Sequence, residues 1–69
     1  MRRQGVVTWF SEEKGFGFVQ ADDGTEAYVH FTEIERDGFA TLHEGERVSF
    51  EVVDEDRGPK ALSVRPESR

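Results

Sequence analysis

The sequence predicts an all-β fold, a small closed barrel of five antiparallel strands. Glycine interrupts the chain at seven positions, and the runs between these glycines are short and rich in Val, Phe, Tyr and Thr, which is typical of strands. The chain has 69 residues, so we expect one domain rather than two. Closing so small a sheet into a barrel protects its edges from aggregation.

Five strands, two tight turns and one long connection are predicted. The strands are predicted at residues 4–10, 15–21, 26–30, 47–54 and 60–65. Asp22-Asp23-Gly24-Thr25 predicts a hairpin turn, because an Asp-Gly pair tolerates the positive φ angles of tight turns. Arg57-Gly58-Pro59 predicts the last turn, since proline cannot donate to a strand ladder. Residues 31–46 are polar and contain glycines, so we expect a long loop with one helical turn around residues 32–35.

The predicted core is mostly aliphatic and follows from strand periodicity. In the fourth strand, Val48, Phe50 and Val52 alternate with polar residues, so these three side chains are expected to face inward. In the third strand, Ala27 and Val29 share one face and are natural core residues. The full predicted core is Val19, Ala27, Val29, Val48, Phe50, Val52, Leu62 and Val64.

The aromatic side chains of the second and third strands are predicted to lie on the outside of the barrel. Phe16 and Phe18 share one face of the second strand. Tyr28 and His30 share one face of the third strand, and both carry polar groups that favour contact with water. Burial is common for Phe, but adding these rings and Trp9 to the core would overfill so small a barrel. An exposed aromatic patch of this size indicates a binding surface.

The acidic composition indicates that phosphate neutralisation is not the main source of binding energy. Fifteen acidic against nine basic residues give a formal net charge of −6, whereas phosphate binders usually carry a basic patch. Stacking of bases on aromatic rings contributes about 1–3 kcal/mol per base and does not depend on net positive charge. With six Phe, one Trp and one Tyr, the chain has the residues for that kind of binding.

One motif carries the functional prediction. Lys14-Gly15-Phe16-Gly17-Phe18-Val19 matches the first six positions of the ribonucleoprotein signature, basic-Gly-aromatic-Gly-aromatic-Val. Aromatic residues two positions apart lie on one strand face about 6.6–7 Å apart, so each can stack on a separate base. The glycine between them keeps the opposite face small, and the lysine can reach a phosphate. The motif therefore predicts binding of single-stranded RNA or DNA.

Two other interpretations of these glycines are excluded. A dinucleotide-binding fingerprint requires a third glycine where Gln20 stands, and its glycines open a helix rather than lie in a strand. An RNA-recognition motif requires two helices and a longer chain. The thirteen residues before Lys14 are too few for the strand and helix that come before its signature.

Five blocks of this sequence resemble successive blocks of bacterial cold-shock proteins, in order and over nearly the whole chain. They are Thr8-Trp9-Phe10-Ser11, Lys14 to Val19, Tyr28-Val29-His30-Phe31, Gly38-Phe39-Ala40-Thr41-Leu42 and Arg57-Gly58-Pro59-Lys60-Ala61. The resemblance implies a single cold-shock domain over residues 1–69 with the OB-fold. It implies an RNA chaperone that prevents or melts secondary structure, with a role in transcription or translation and in the cold-shock response. The base contacts that it implies come from Trp9, Phe16, Phe18, Tyr28, His30, Phe31 and Phe39, with electrostatic help from Lys14, Arg57 and Lys60.

Two positions depart from the family pattern. The family usually has lysine immediately before the tryptophan, where this chain has Thr8, so one phosphate contact is lost. The family usually has Phe where Tyr28 stands, a change that keeps a stacking ring and adds a hydroxyl group. Little loss of binding is expected from the second change.

The remaining candidate residues favour structural or binding roles over catalysis. Trp9 is expected to be exposed, and its neighbour Phe10 to be partly buried and structural. His30 is expected to stack, and with His43 in a distant loop and no cysteine, no metal site of His and Cys ligands is predicted. No nucleophile has a base beside it, so an enzyme is not expected, and neither is a cofactor.

The expected partner is single-stranded RNA or DNA, and the sequence does not distinguish between the two. The expected location is the cytoplasm, because the chain has no cysteine and no apolar stretch long enough for a signal peptide or membrane span. A monomer is expected. The alternative function is binding of a basic or proline-rich peptide on the aromatic patch.

Overall fold

The strands of the protein close into a five-stranded barrel in the computed structural model, which describes residues 2–36 and 41–67. The strands are β1 (Arg3–Ser11), β2 (Phe16–Ala21), β3 (Glu26–His30), β4 (Arg47–Glu55) and β5 (Gly58–Pro66), and a 3-10 turn spans Phe31–Glu33. Their order around the barrel is β1-β2-β3-β5-β4. The predicted all-β barrel is confirmed, and each predicted strand overlaps one observed strand.

One contact between strands differs from the antiparallel arrangement that the sequence predicts. β3 and β5 are paired in parallel, with Tyr28 opposite Lys60, whereas the other four strand pairs are antiparallel. The reason is topological, because five strands in a closed ring cannot alternate in direction at every contact. β4 pairs with β1 rather than with β3, and β3 pairs with β5 instead.

The hairpin between β2 and β3 forms at the predicted turn. Gly24 has a φ of 97°, in the region that favours glycine. The Gly24 N–H donates to the carbonyl oxygen of Ala21 at 2.9 Å, and the Thr25 N–H donates to Asp23 Oδ1 at 3.0 Å. Hydrogen bonds from the backbone N–H and the side chain of Thr25, followed by the charge of Arg3, lower the pKa of Asp23 below its ordinary value. The turn prediction is confirmed.

The core is close to the predicted one. Its fully or almost fully buried side chains are Val7, Val19, Ala21, Ala27, Val29, Ile34, Leu42, Val48, Phe50, Ala61 and Val64. Val52 is only partly buried and packs against this cluster. The placement of Leu62 in the core is wrong, because Leu62 is half-exposed and its neighbour Ala61 is buried instead.

A bulge in β5 explains the error at Leu62. Ser49 pairs with Arg65 and Glu51 pairs with Leu62, so two residues of β5 lie opposite Phe50 alone. Ser63, one of those two, has a φ of 51°, which interrupts the regular alternation of side chains. Ala61 and Val64, three residues apart, therefore both point inward.

The connection after β3 contributes to the core although it contains no strand within its described residues. The predicted helical turn is present as the 3-10 turn at Phe31–Glu33. Ile34 forms an isolated parallel bridge with Val64, and its side chain is buried. Leu42 is also buried. Within residues 2–36 and 41–67, no helix has the length and apolar character needed to cross a membrane.

Candidate nucleic-acid interface

Four aromatic rings form a continuous cluster on the outside of β1, β2 and β3. The Phe16 ring centroid lies 5.5 Å from that of Trp9, 6.4 Å from Phe18 and 5.7 Å from Tyr28. The Phe18 ring lies 6.2 Å from Trp9 and 6.1 Å from Tyr28. We call these rings, together with those of His30 and Phe31, the aromatic platform. The 6.4 Å between the Phe16 and Phe18 ring centroids is close to the rise of about 6.6–7 Å that two residues make along a strand.

Strand alternation separates the platform from the core. In β2, Gly17, Val19 and Ala21 are buried, while Phe16 and Phe18 are half-exposed. β3 repeats the pattern, with Ala27 and Val29 buried and Tyr28 and His30 half-exposed. The two strands pair Phe16 with His30 and Phe18 with Tyr28. Because paired residues point to the same side of a sheet, the predicted platform residues of these two strands lie together.

A bulge at Thr8 brings Trp9 onto this surface. Val7 pairs with the buried Val19, whereas Trp9 pairs with the outward-facing Phe18, and Thr8 has no partner in the ladder. Without the bulge, Val7 and Trp9 would share a face, because they are two residues apart. Instead Val7 is 1% exposed and Trp9 is 38% exposed. The exposure of Trp9 is confirmed, and the bulge that produces it was not predicted.

Gly17 allows β1 and β2 to approach closely behind the platform. A Cβ atom at Gly17 would lie 2.3 Å from the carbonyl oxygen of Trp9 and 2.6 Å from Phe10 Cδ1. Any side chain there would therefore push apart the strands that carry Trp9 and Phe18. Phe10 itself is half-buried and packs against the core, which confirms its structural role.

His30 and Phe31 extend the platform beyond the end of β3. Their ring centroids are 4.8 Å apart, and Phe31 is 45% exposed. The Thr32 N–H donates to His30 Nδ1 at 3.3 Å, and Thr32 Oγ1 lies 2.9 Å from the same nitrogen. The Phe31 N–H donates to the carbonyl oxygen of Gly15 at 2.9 Å, which ties Phe31 to the loop before β2.

The three cations that the sequence assigns to the site lie at two turns and beside the platform. Lys14 is exposed in the turn between β1 and β2, directly before Gly15 and Phe16. Arg57 lies in the turn between β4 and β5, and Lys60 lies on β5 opposite Tyr28. Arg57 and Lys60 share a groove with two platform rings. The residues that line this groove are Phe18, Tyr28, Glu55, Arg57, Gly58, Pro59 and Lys60. Sequence reasoning missed Glu55 and Pro59 as groove residues, although they flank the predicted Arg57.

Elsewhere on the barrel, arginines are held by carboxylates. Arg3 contacts Asp23 at 2.6 Å, Arg47 contacts Asp22 at 3.2 Å, Arg65 contacts Glu35 at 2.6 Å, and Arg36 pairs with Glu46. The hydrogen bond from Arg65 is the main cause of a lowered pKa of Glu35. None of the ion pairs within residues 2–36 and 41–67 involves Lys14, Arg57 or Lys60. These three cations therefore differ from Arg3, Arg36, Arg47 and Arg65, each of which has a carboxylate partner.

Thr8, at the position where a lysine was expected, has a structural role in this chain. Its Oγ1 donates to the carbonyl oxygen of Phe18 at 3.2 Å, and it lies 3.5 Å from Glu26 Oε2. The hydroxyl group thus bridges the bulge to β2.

Phe39, the last predicted contact residue, lies outside the described residues. Among those that are described, no three or more His, Cys, Asp or Glu side chains are grouped to hold a metal ion.

Comparisons with known proteins agree with this geometry. Residues 3–67 match the family described as "'Cold-shock' DNA-binding domain". The chain is 55% identical over 60 residues to Cold shock-like protein CspD of Bacillus cereus, covering 87% of this chain and 91% of that protein. It is 48% identical over 65 residues to Cold shock protein 2 of Lactiplantibacillus plantarum, covering 94% of this chain and 98% of that protein. Among solved structures, "drosophila Unr CSD456" is similar in fold, with a TM-score of 0.80 and 22% identity over 99% of this chain and 27% of that one.

Proposed function

The chain belongs to the cold-shock DNA-binding domain family, and on that premise we propose that its aromatic platform binds single-stranded RNA or DNA by stacking unpaired bases. Nucleic-acid binding, and with it a role as an RNA chaperone in the cold-shock response, follows from membership of this family.

The observation that carries the proposal is the ring cluster on the solvent side of the barrel. Four rings with neighbouring centroids 5.5–6.4 Å apart form one surface, while the core behind them is filled by other side chains. Rings that merely fill a core have no reason to lie together on the outside. Exposed apolar surface of this extent is unusual in a protein without a partner for it.

Base stacking explains how an acidic protein binds a polyanion. Each stacked base contributes about 1–3 kcal/mol, so several rings together supply binding energy without many phosphate contacts. Every base has a π-face, and the interaction therefore tolerates many sequences. Lys14, Arg57 and Lys60 have no carboxylate partner among the described residues, which supports a secondary role for them in holding phosphates near the rings.

Stacking also explains how binding prevents secondary structure. A base inside a duplex is covered on both faces by its neighbours and cannot present a face to a protein ring. A protein that binds only the unpaired state shifts the equilibrium toward that state by mass action. No energy source is needed for this activity.

The proposal includes a monomer, because one barrel carries the whole platform. It also includes a cytoplasmic location, where RNA is available as a ligand.

A fluorescence titration tests the proposal. Trp9 is the chain's one tryptophan, so its emission reports on the platform alone. We expect a single-stranded oligonucleotide of six to eight pyrimidines, a length of about one OB-fold site, to quench Trp9 strongly and saturably. The same strand annealed to its complement is the matched control and should bind much more weakly.

Two outcomes would contradict the proposal. One is equal affinity for the duplex, which would mean that the backbone rather than the base faces is recognised. The other is absence of quenching by any oligonucleotide together with a response to a basic or proline-rich peptide, which would favour the peptide-binding alternative.

A further inference from the structure

The groove beside the platform has the size and lining of a site for one more base. It lies where β3 and β5 pair in parallel, and the turn between β4 and β5 forms its other wall. Its volume is about 490 Å³, within the range of roughly 300–1,000 Å³ that is typical of small-molecule sites. Phe18 and Tyr28 belong both to the groove and to the platform. A strand bound on the platform can therefore continue into the groove without leaving the protein.

The charged groups of this groove form no ion pair within the described part of the chain. Glu55, Arg57 and Lys60 form none of the ion pairs among residues 2–36 and 41–67. This differs from Asp22, Asp23 and Glu35, each of which is held by an arginine. Glu55 pairs with Gly58 to close the β4–β5 hairpin, so its backbone position is fixed. The groove thus carries one carboxylate and two cations, none of which belongs to an ion pair among the described residues.

We infer that Glu55 reads the edge of the base in this groove and favours cytosine over uracil or thymine; the inference rests on the proposed function. An ionised carboxylate only accepts hydrogen bonds. The N4 amino group of cytosine donates, and Asp and Glu are the usual acceptors for it. Uracil and thymine present an acceptor oxygen at the same position, and their ring donor, N3–H, lies between two carbonyl oxygens that repel a carboxylate. The two pyrimidines are otherwise nearly equal in shape, which makes the discrimination electrostatic.

The other groove residues are suited to the rest of the nucleotide. Phe18 and Tyr28 supply ring faces for the base. Arg57 and Lys60 supply two positive charges against the single negative charge of Glu55, so a phosphate is attracted to the groove. Phosphate contacts position the strand and carry no sequence information directly. Selectivity for the base is therefore assigned to Glu55 alone.

A cytosine scan tests the inference. A uracil-only oligonucleotide of seven residues is compared with seven variants that each carry one cytosine, using Trp9 quenching to obtain affinities. We expect one cytosine position to bind about tenfold to a hundredfold more tightly than uracil, the size of one hydrogen bond to a charged group. In the Glu55→Gln variant that preference should disappear, because an amide both donates and accepts and so suits either base.

The matched control is Glu51→Gln. Glu51 is an exposed carboxylate on the same strand, and it is not among the residues that line the groove. It should keep the full cytosine preference. Equal cytosine-to-uracil ratios in the unmodified protein and Glu55→Gln would overturn the inference while leaving the proposed function intact. Loss of the preference in both variants would also overturn it, since net charge rather than the position of Glu55 would then be responsible. Absence of binding to any oligonucleotide would instead refute the proposed function.

Discussion

The two sides of the barrel wall made by β2 and β3 are both apolar, yet they are built from different residues. The inner side carries Val19, Ala27 and Val29, which are at most 1% exposed. The outer side carries large rings that remain half-exposed and contact one another. Small aliphatic residues fill the narrow interior, whereas flat rings with two faces remain outside. Hydrophobicity therefore does not distinguish core from binding surface here, and side-chain size and shape do.

Two phenylalanines allow this comparison with one residue type. Phe50 is the largest of the fully buried side chains in the described part of the chain, at 0% exposed. Phe18 lies on the platform and faces solvent on one side. If the inner and outer sides have separate roles, replacement of Phe50 should affect folding, and replacement of Phe18 should affect binding.

The largest expected effect is the loss of stability in Phe50→Ala. Removing a buried Phe side chain typically costs about 3–5 kcal/mol of the free energy of unfolding, which is comparable to the whole stability of a small domain. Phe50→Leu leaves a smaller cavity and should remain folded for measurement. Urea denaturation followed by circular dichroism gives the comparison. A larger loss of stability in Phe18→Ala than in Phe50→Ala would mean that the two sides have been assigned in reverse.

The next largest effect is the loss of binding when platform rings are removed. Phe16→Ala, Phe18→Ala and Phe31→Ala should each weaken oligonucleotide binding by about 1–3 kcal/mol. Stability should fall less than in the Phe50 variants. Phe18→Leu separates stacking from general apolar contact, because leucine keeps most of the apolar volume but has no π-face. Affinity of Phe18→Leu close to that of the unmodified protein would contradict a stacking mechanism.

The fold was predictable from the sequence where the strands are regular, and it was not predictable where they are irregular. The alternation of residue types in β3, together with the limited volume of the barrel, was sufficient to assign both sides of β2 and β3, because the period of a strand is two. The Asp-Gly turn was predictable because its φ requirement is local. Leu62 was placed inside because the same period was continued along β5, where it does not hold.

The bulges at Thr8 and Ser63 are stabilised by contacts between distant parts of the chain. Short-range sequence patterns therefore do not predict these bulges. At Ser63, Arg2 Nη2 donates to the carbonyl oxygen at 2.6 Å, and the Ser63 N–H donates to Glu33 Oε1 at 3.2 Å. At Thr8, the hydroxyl group donates to the carbonyl oxygen of Phe18. Val7 was not in the predicted core, and its burial only two residues before the exposed Trp9 is a consequence of the bulge at Thr8.

A smaller effect is expected from restoring the missing cation. Thr8→Lys adds one positive charge beside Trp9 and should tighten binding modestly, with a salt slope steeper by about 0.7. Base preference should scarcely change, because a phosphate contact carries no sequence information directly. Glu26 lies close enough to Thr8 to pair with the new lysine, so Thr8→Lys with Glu26→Gln should bind more tightly than Thr8→Lys alone. A changed order of base preferences in Thr8→Lys would show that position 8 contacts a base.

The salt dependence of binding tests most directly whether the outer rings, rather than charge, carry the affinity. Each neutralised phosphate on a single strand contributes about −0.7 to the slope of log affinity against log salt concentration. Lys14, Arg57 and Lys60 are the cations assigned to the platform. Three contacts give a slope of about −2, and base stacking predicts this value or a smaller magnitude. A slope several times steeper in the unmodified protein would show that phosphate neutralisation carries the binding.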